Sequence, residues 1–298
     1  MSLKSILNKW VKKSPWFTNG DLKDCQKFWD GIPYELDAVN LGSNSAKYGF
    51  DYSGLNVNAA NLAMGPQCLL MDLNILKAYK DHLKPNAIVF IPMCPFSSMA
   101  GYNYLIDPKY HTFLPKENIP NFSKKTQARM MNLKNNPINV YPLIRFFVDI
   151  KNCLFKPFKR KGNHVNFDID AQKWINAWMS EFDIASFEDT LSEENTKNKK
   201  DSASIIKSIY DYCIESGFKP YVVLPPITSV LSQKLSPSMR EKYIVDYIKL
   251  AEIPEDHFLD YLDDKEIGEN QDYFQNAYFL NAEGAKVFTK KILQAVLS

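Results

Sequence analysis

Apolar runs alternate along this chain with segments of helical periodicity. Residues 36–41 are largely apolar and enter Gly42-Ser43-Asn44-Ser45, the pattern of a buried strand followed by a small-residue turn. A second short strand is expected at 55–59. Gly65-Pro66 is expected to open a helix with proline at its first position. Leu69, Leu70, Leu73, Leu76 and Leu83 share one face of that helix, and Pro85-Asn86 ends it. Residues 87–93, Ala-Ile-Val-Phe-Ile-Pro-Met, form the continuous apolar run of a strand buried on both faces, as in a parallel sheet.

The pattern resumes further on. Residues 170–182 read as a helix carrying Trp174 and Trp178 on one face, and 192–200 as a polar loop. Residues 204–216 read as a helix with Ile205, Ile206, Ile209, Tyr212 and Cys213 inward and Gly217 as its C-cap. Strands follow at 221–224, ended by Pro225-Pro226, and at 257–262, with a helix at 237–251 between them. The last helix spans 282–297, with Asn281 as N-cap, Glu283 in the first turn, and Ala285, Phe288, Ile292 and Ala295 inward. Residues 3–13 read as a short amphipathic helix, and 96–165 show no clear order.

Strand and helix thus alternate on both sides of a long interruption. This predicts an α/β fold: a doubly wound, flavodoxin-like, mostly parallel sheet with helices on both faces, in three α/β/α layers, with a long insertion after the third strand. The domains expected are a helical extension at 1–34 and a single α/β domain at 35–298, its insertion at about 96–200.

Composition narrows the function. The 298 residues are 45% hydrophobic, enough for a large core. No uninterrupted apolar stretch is long enough to span a bilayer. In 142–157 the apolar pattern is broken by Arg145, Asp149, Lys151 and Lys156, so a core helix with one wet face is expected; membrane-surface association is the alternative. Net charge is +2, from 36 basic and 34 acidic residues, so no nucleic-acid partner is expected, and the basic runs at 156–161 and 197–200 read as solvated loops. Cys25, Cys68, Cys94, Cys153 and Cys213 are scattered, which argues against a disulfide framework and a zinc cluster; neither a metal nor a cofactor is expected. The first nine residues lack a signal peptide's apolar segment, but they also suit a terminus from which an anchor was removed. Cytoplasmic and envelope locations both stay open.

In open parallel sheets, ligands bind outside the carboxyl ends of the strands. Four such ends carry polar chemistry: 42–45, 61–67, 92–98 and 225–229. A serine on a tight strand-to-helix turn can act as a nucleophile beside backbone donors, or it can simply cap the next helix. No nucleotide-binding, zinc-protease or nucleophile-elbow motif competes. Among the histidines, His82 suits a helix end and His257 begins a strand, whereas His111 and His164 fall in the insertion.

These segments resemble the SGNH (GDSL-like) hydrolase superfamily, in its bacterial envelope acyl-transfer branch. Residues 39–51, Val-Asn-Leu-Gly-Ser-Asn-Ser-Ala-Lys-Tyr-Gly-Phe-Asp, resemble its first block, 61–65 its oxyanion-hole block, and 279–289 its last. The resemblance implies an acyl-ester hydrolase or O-acyltransferase acting on a carbohydrate or cell-envelope glycan. Ser43 or Ser45 would be the nucleophile, with Asn44, Asn61 and Gly65 lining the oxyanion cleft. The departures are specific. The family's nucleophile position falls on Asn44, its aspartate on Asn276 and its histidine on Phe279, while Met93-Cys94-Pro95-Phe96 replaces the usual third-block asparagine. A conventional triad is therefore absent, and only His111 or His164 is left as a replacement base.

Two functions remain. One is acyl-ester chemistry with an unorthodox base. The other is a catalytically inactive relative that binds a glycan or protein partner, with Phe96, Tyr102, Tyr104, Trp174, Trp178, Tyr278 and Phe279 as stacking surfaces or as core. A nucleotide-binding α/β protein would need a glycine-rich phosphate loop, which is missing. Both readings require the turn at 42–45 and the stretch at 276–281 to meet in one crevice.

Overall fold

Five strands form the sheet: β1 (Leu36–Asn40), β2 (Ala59–Asn61), β3 (Leu83–Pro92), β4 (Lys219–Leu224) and β5 (Phe258–Asp260). Their order is β2-β1-β3-β4-β5, and every neighbouring pair is parallel, which is the flavodoxin-like arrangement. The structure is a computed structural model that describes residues 2–20, 22–99, 106–142, 145, 147, 148, 151 and 165–297.

Alternate strand residues face opposite sides of the sheet. On one side Ala38, Ile88, Phe90 and Val223 join Phe50, Phe288 and Ile292 in a buried cluster with the C-terminal helix Ala282–Leu297. On the other side Val39, Val89, Ile91 and Val222 are buried, and the helices Leu69–Tyr79 and Glu193–Glu215 pack against each other. Both faces are covered, which explains the unbroken apolar run of β3.

The chain divides into two compact units. Residues 33–104 and 165–298 carry the sheet. Residues 1–32 and 105–164 form the other, whose described helices include Leu3–Lys12, Pro15–Thr18, Gln26–Asp30 and Lys124–Asn135. Val11, Phe17, Cys25, Phe28, Tyr110 and Met130 are among its buried residues, and Phe28 stacks on Phe113 at 4.2 Å between centroids. The stretch read as an insertion is thus shared, with 165–200 belonging to the sheet unit.

Several elements differ from the sequence expectation. The second strand is Ala59–Asn61 rather than 55–59, because Leu55 and Val57 pack on the core cluster from a loop. The helix expected to open at Gly65-Pro66 starts at Leu69, after an extended Cys68, and Met64 and Gln67 bond instead to the turn at Gly42 and Ser43. It stops at Tyr79, where residues 80–82 tighten into a 3-10 turn, so Leu83 begins β3. Pro85 and the positive-φ Asn86 lie where β3 bulges against β1, between the pairs Leu36–Leu83 and Ala38–Ile88. A proline is tolerated inside a strand at such a bulge.

The polar stretch 192–200 is helical, not a loop. Ser192 Oγ accepts the Asn195 N–H at 3.1 Å, Glu193 and Glu194 fill the first turn, and Asn195 Nδ2 donates to the Phe182 carbonyl at 2.8 Å. Capping and the helix dipole outweigh the polarity of the stretch. Residues 96–165 hold more order than their sequence suggests, including the helix Lys124–Asn135 capped by Ser123. Tyr212 is half-buried and Ala295 exposed, rather than inward. Most of 142–157, with Tyr102, Tyr104, Cys153 and His164, lies outside the described residues.

The C-terminal helix is seated at a tight contact. A Cβ on Gly284 would lie 2.2 Å from the Tyr273 carbonyl oxygen. Gly284→Ala is expected to lower unfolding stability by about 1–3 kcal/mol in denaturant titration. An unchanged midpoint would show that the helix does not press on residue 273.

Candidate functional site

β1 lies between β2 and β3, and the chain leaves the carboxyl ends of β1 and β3 in different directions. Such a switch point opens a crevice. Here it is a cleft of about 310 Å³, lined by Ser43, Asn44, Ser45, Gln67, Asp72, Cys94 and Ser97 on one side and by Trp174, Trp178, Phe182, Tyr278 and Phe279 on the other. The turn at 42–45 and the stretch at 276–281 therefore do meet in one crevice.

A buried carboxylate organises the floor. Gly42 has φ +111° and a Cβ there would come 2.6 Å from that of Ala46, so the turn needs glycine. Its N–H donates to Asp72 Oδ1 at 2.7 Å. Gln67 Nε2 donates to the same oxygen and to the Gly42 carbonyl, and the Gln67 backbone N–H donates to Ser43 Oγ at 3.1 Å. Asp72 is only 2% exposed. Burial pushes its carboxyl up to about 7, with the Gly42 and Gln67 donors opposing the rise.

Asn44 opens the short helix Asn44–Gly49 and lines the cleft. Its side chain lies so close over Gly65 that a Cβ on the glycine would sit 1.8 Å from Asn44 Oδ1. Asn61 serves the framework rather than the cleft. Its Oδ1 accepts from Asn40 Nδ2 and from the Ala63 N–H, each at 3.0 Å, and its Nδ2 donates to the Phe50 carbonyl at 2.9 Å, closing the short helix Asn44–Gly49. No donor of its amide is left for an oxyanion.

Ser45 faces Tyr278. The Tyr278 phenol is buried between the Ser45 hydroxyl and the Cys94 thiol, and burial holds its pKa well above the ordinary phenol value. Ser97 Oγ accepts the Cys94 N–H at 2.8 Å and lies 3.4 Å from Cys94 Sγ.

The stretch 276–279 is pinned from several sides. Asn276 Oδ1 accepts the N–H groups of Tyr278 and Phe279 at 2.9 and 2.7 Å, so it shapes a turn and does not line the cleft. Thr228 Oγ1 donates to the Ala277 carbonyl at 2.8 Å, and the Ala277 N–H donates to Asp170 Oδ2 at 2.9 Å. Phe279, at the histidine position, has its ring centroid 5.3 Å from Trp174 and 5.2 Å from Tyr48. Trp178 is buried and Trp174 half-buried, and both contribute to the cleft wall.

Among the described residues no histidine lines the cleft. His111 belongs to the other unit, where it is buried against Phe122, its Nδ1 lies 3.2 Å from the Pro108 carbonyl and its Nε2 accepts the Ser123 N–H. His257 Nδ1 is 2.8 Å from the Tyr210 hydroxyl, and His82 stacks on Tyr34. The described cysteines Cys25, Cys68, Cys94 and Cys213 are free thiols, and no metal-binding cluster occurs among the described residues. The chain matches no protein-family model, and no curated protein matches it.

Asp72, Gln67 and Cys94 were not singled out as candidate site residues. Asp72 was detectable: it falls on the apolar stripe Leu69, Leu73, Leu76, where a carboxylate must find buried donors.

Two measurements test this floor. Unfolded, the Asp72 carboxyl ionises near 3.8; folded, near 7. Between those values the native state keeps a proton that the unfolded chain releases, so Asp72 makes stability fall as pH rises from about 4 to about 7. Asp72→Asn stays neutral and is expected to gain on the parent by a few kcal/mol, roughly, between pH 4 and pH 8. Parallel pH profiles of Tm for the two proteins would refute this. Gly65→Ala is expected to destabilise by about 1–3 kcal/mol, and less in an Asn44→Ala background. Additive losses in denaturant titration would mean the two side chains do not compete for one space.

Proposed function

We propose that the cleft recognises a carbohydrate and does not carry out triad-type hydrolysis. The observation behind this reading is Phe279. A ring packed by Trp174 and Tyr48 stands where the resemblance sets a general base, and the polar lining is mostly hydroxyl and amide groups with the carboxyls of Asp72 and Glu181. A sugar presents C–H faces to aromatic rings and hydroxyls to groups that both donate and accept, such as Asn44 and the serine hydroxyls. The volume of about 310 Å³ suits one or two sugar rings.

The acyl-ester reading rests on Ser43 and Ser45. No base is paired with either serine: among the described residues no histidine lines the cleft, Asp72 Oδ1 is taken up by Gly42 and Gln67, and Glu181, the other carboxylate lining the cleft, makes no hydrogen bond to Ser43 or Ser45. Without a partner to accept its proton, a serine hydroxyl is a weak nucleophile.

A glycan array followed by calorimetry on the best hit tests the proposal. Trp174→Ala or Phe279→Ala is expected to weaken binding by about tenfold or more, an effect of roughly 1.4 kcal/mol or above. Turnover of p-nitrophenyl acetate that disappears in Ser43→Ala or Ser45→Ala would overturn the non-catalytic reading.

A further inference from the structure

The near-neutral chain conceals a strong partition of charge. Residues 1–32 and 105–164 contain 18 basic and 6 acidic side chains, a net charge of +12. Residues 33–104 and 165–298 contain 18 basic and 28 acidic ones, a net charge of −10. The function proposed for the cleft does not use the basic unit.

Within that unit the helix Leu3–Lys12 carries an apolar stripe at i, i+3, i+4 and i+7: Leu3, Ile6, Leu7 and Trp10. The unit covers only part of it, where Trp10 packs edge-on against Tyr141 at 5.6 Å between centroids. Leu3 is 72% and Ile6 50% exposed, and Leu7 and Trp10 are half-buried. The helix is held by its neighbouring face, where Val11 is buried and Asn8 Oδ1 accepts the Ile138 N–H at 3.1 Å. Lys4, Lys9 and Lys12 lie on the same helix, with Lys13 just after it and no acidic residue. The three helical lysines line a groove of about 370 Å³ that Asn135 and Asn136 complete. Phe147, 71% exposed, adds a large ring to the surface of the unit.

An apolar stripe bordered by Lys4 on one side and Lys9 on the other fits the boundary between headgroups and acyl chains, where the side chains leave water and the ammonium groups meet lipid phosphate. We infer that this unit docks on an anionic lipid bilayer through Leu3 and Ile6, with Lys4 and Lys9, which border the stripe at i, i+3 spacing from Leu7 and Ile6, on the headgroups. A dissolved polyanion would satisfy the lysines and leave the exposed leucine and isoleucine in water, which is why the bilayer is the better occupant. No described helix is long and apolar enough to cross a membrane, so the contact is interfacial.

The test is flotation of the full chain with phosphatidylcholine vesicles, with and without roughly 30% phosphatidylglycerol, and with heparin as a soluble polyanion. Binding is expected to the anionic vesicles only. Leu3→Ser with Ile6→Ser is expected to reduce it by about tenfold or more while leaving Tm and heparin binding unchanged. Absence of binding to anionic vesicles would overturn the inference. So would vesicle binding that the double variant leaves intact, because that would mark a general polyanion surface.

Discussion

The position of β1 inside the sheet is the constraint from which the rest follows. Flanked by β2 and β3, it must send its chain to one face while the connections after β2 and β3 run to the other. The gap left at the carboxyl end cannot be filled by backbone, so the sequence there decides whether it becomes a site or a plug. In this protein the turn after β1 is tied down by a single buried acceptor. Asp72 holds the Gly42 N–H, Gln67 joins Asp72 to the Gly42 carbonyl, and the Gln67 backbone N–H holds Ser43. A buried carboxylate is costly unless its lone pairs are used. Using them here fixes the floor of the cleft.

The cleft lies at the carboxyl end of the sheet, but among the described residues it lacks the paired groups that acyl-ester chemistry would need. Triad catalysis needs a group that accepts a proton at the nucleophile and a partner that stabilises the resulting cation. Phe279 and Asn276 can do neither, and the second serves only to turn the chain. Asp72 has a pKa in a useful range, but no hydrogen bond joins it to Ser43 or Ser45 among the described residues. What remains is a lining of hydroxyls, amides and the carboxyls of Asp72 and Glu181 beside aromatic rings, with no hydrogen bond from either carboxyl to Ser43 or Ser45 among the described residues.

Much of the fold could be read from the chain. The apolar run at 87–93 and the helix at 282–297 with its Asn281 cap are found where the pattern put them, because burial on two faces and capping are local signals. The helix start at 193 was hidden, since its stabilising contacts are the Ser192 cap and Asn195 reaching Phe182 in another element. The meeting of 42–45 with 276–281 was legible through the order of the motifs. The fate of Asn61 was not. An asparagine at a strand end looks available for ligands, and only coordinates reveal that the short helix Asn44–Gly49 consumes its amide. The pairing of residues 1–32 with 105–164 was equally hidden, because no periodicity records which distant segments share a core.

That pairing changes what the composition means. A net charge of +2 argues against any polyanionic partner, and at the level of the whole chain the argument is sound. Charge acts over about a Debye length, however, roughly 8 Å at physiological ionic strength, which is shorter than either unit. A nearby surface therefore responds to the charges it approaches rather than to the chain's +2, and basic residues predominate in one unit and acidic ones in the other. An anionic surface attracts one unit and repels the other, so averaging over the chain erases the very asymmetry that would govern an encounter. The exposed Leu3 and Ile6 lie on the attracted unit, and a short-range apolar contact has force only after the long-range field has brought the correct surface near.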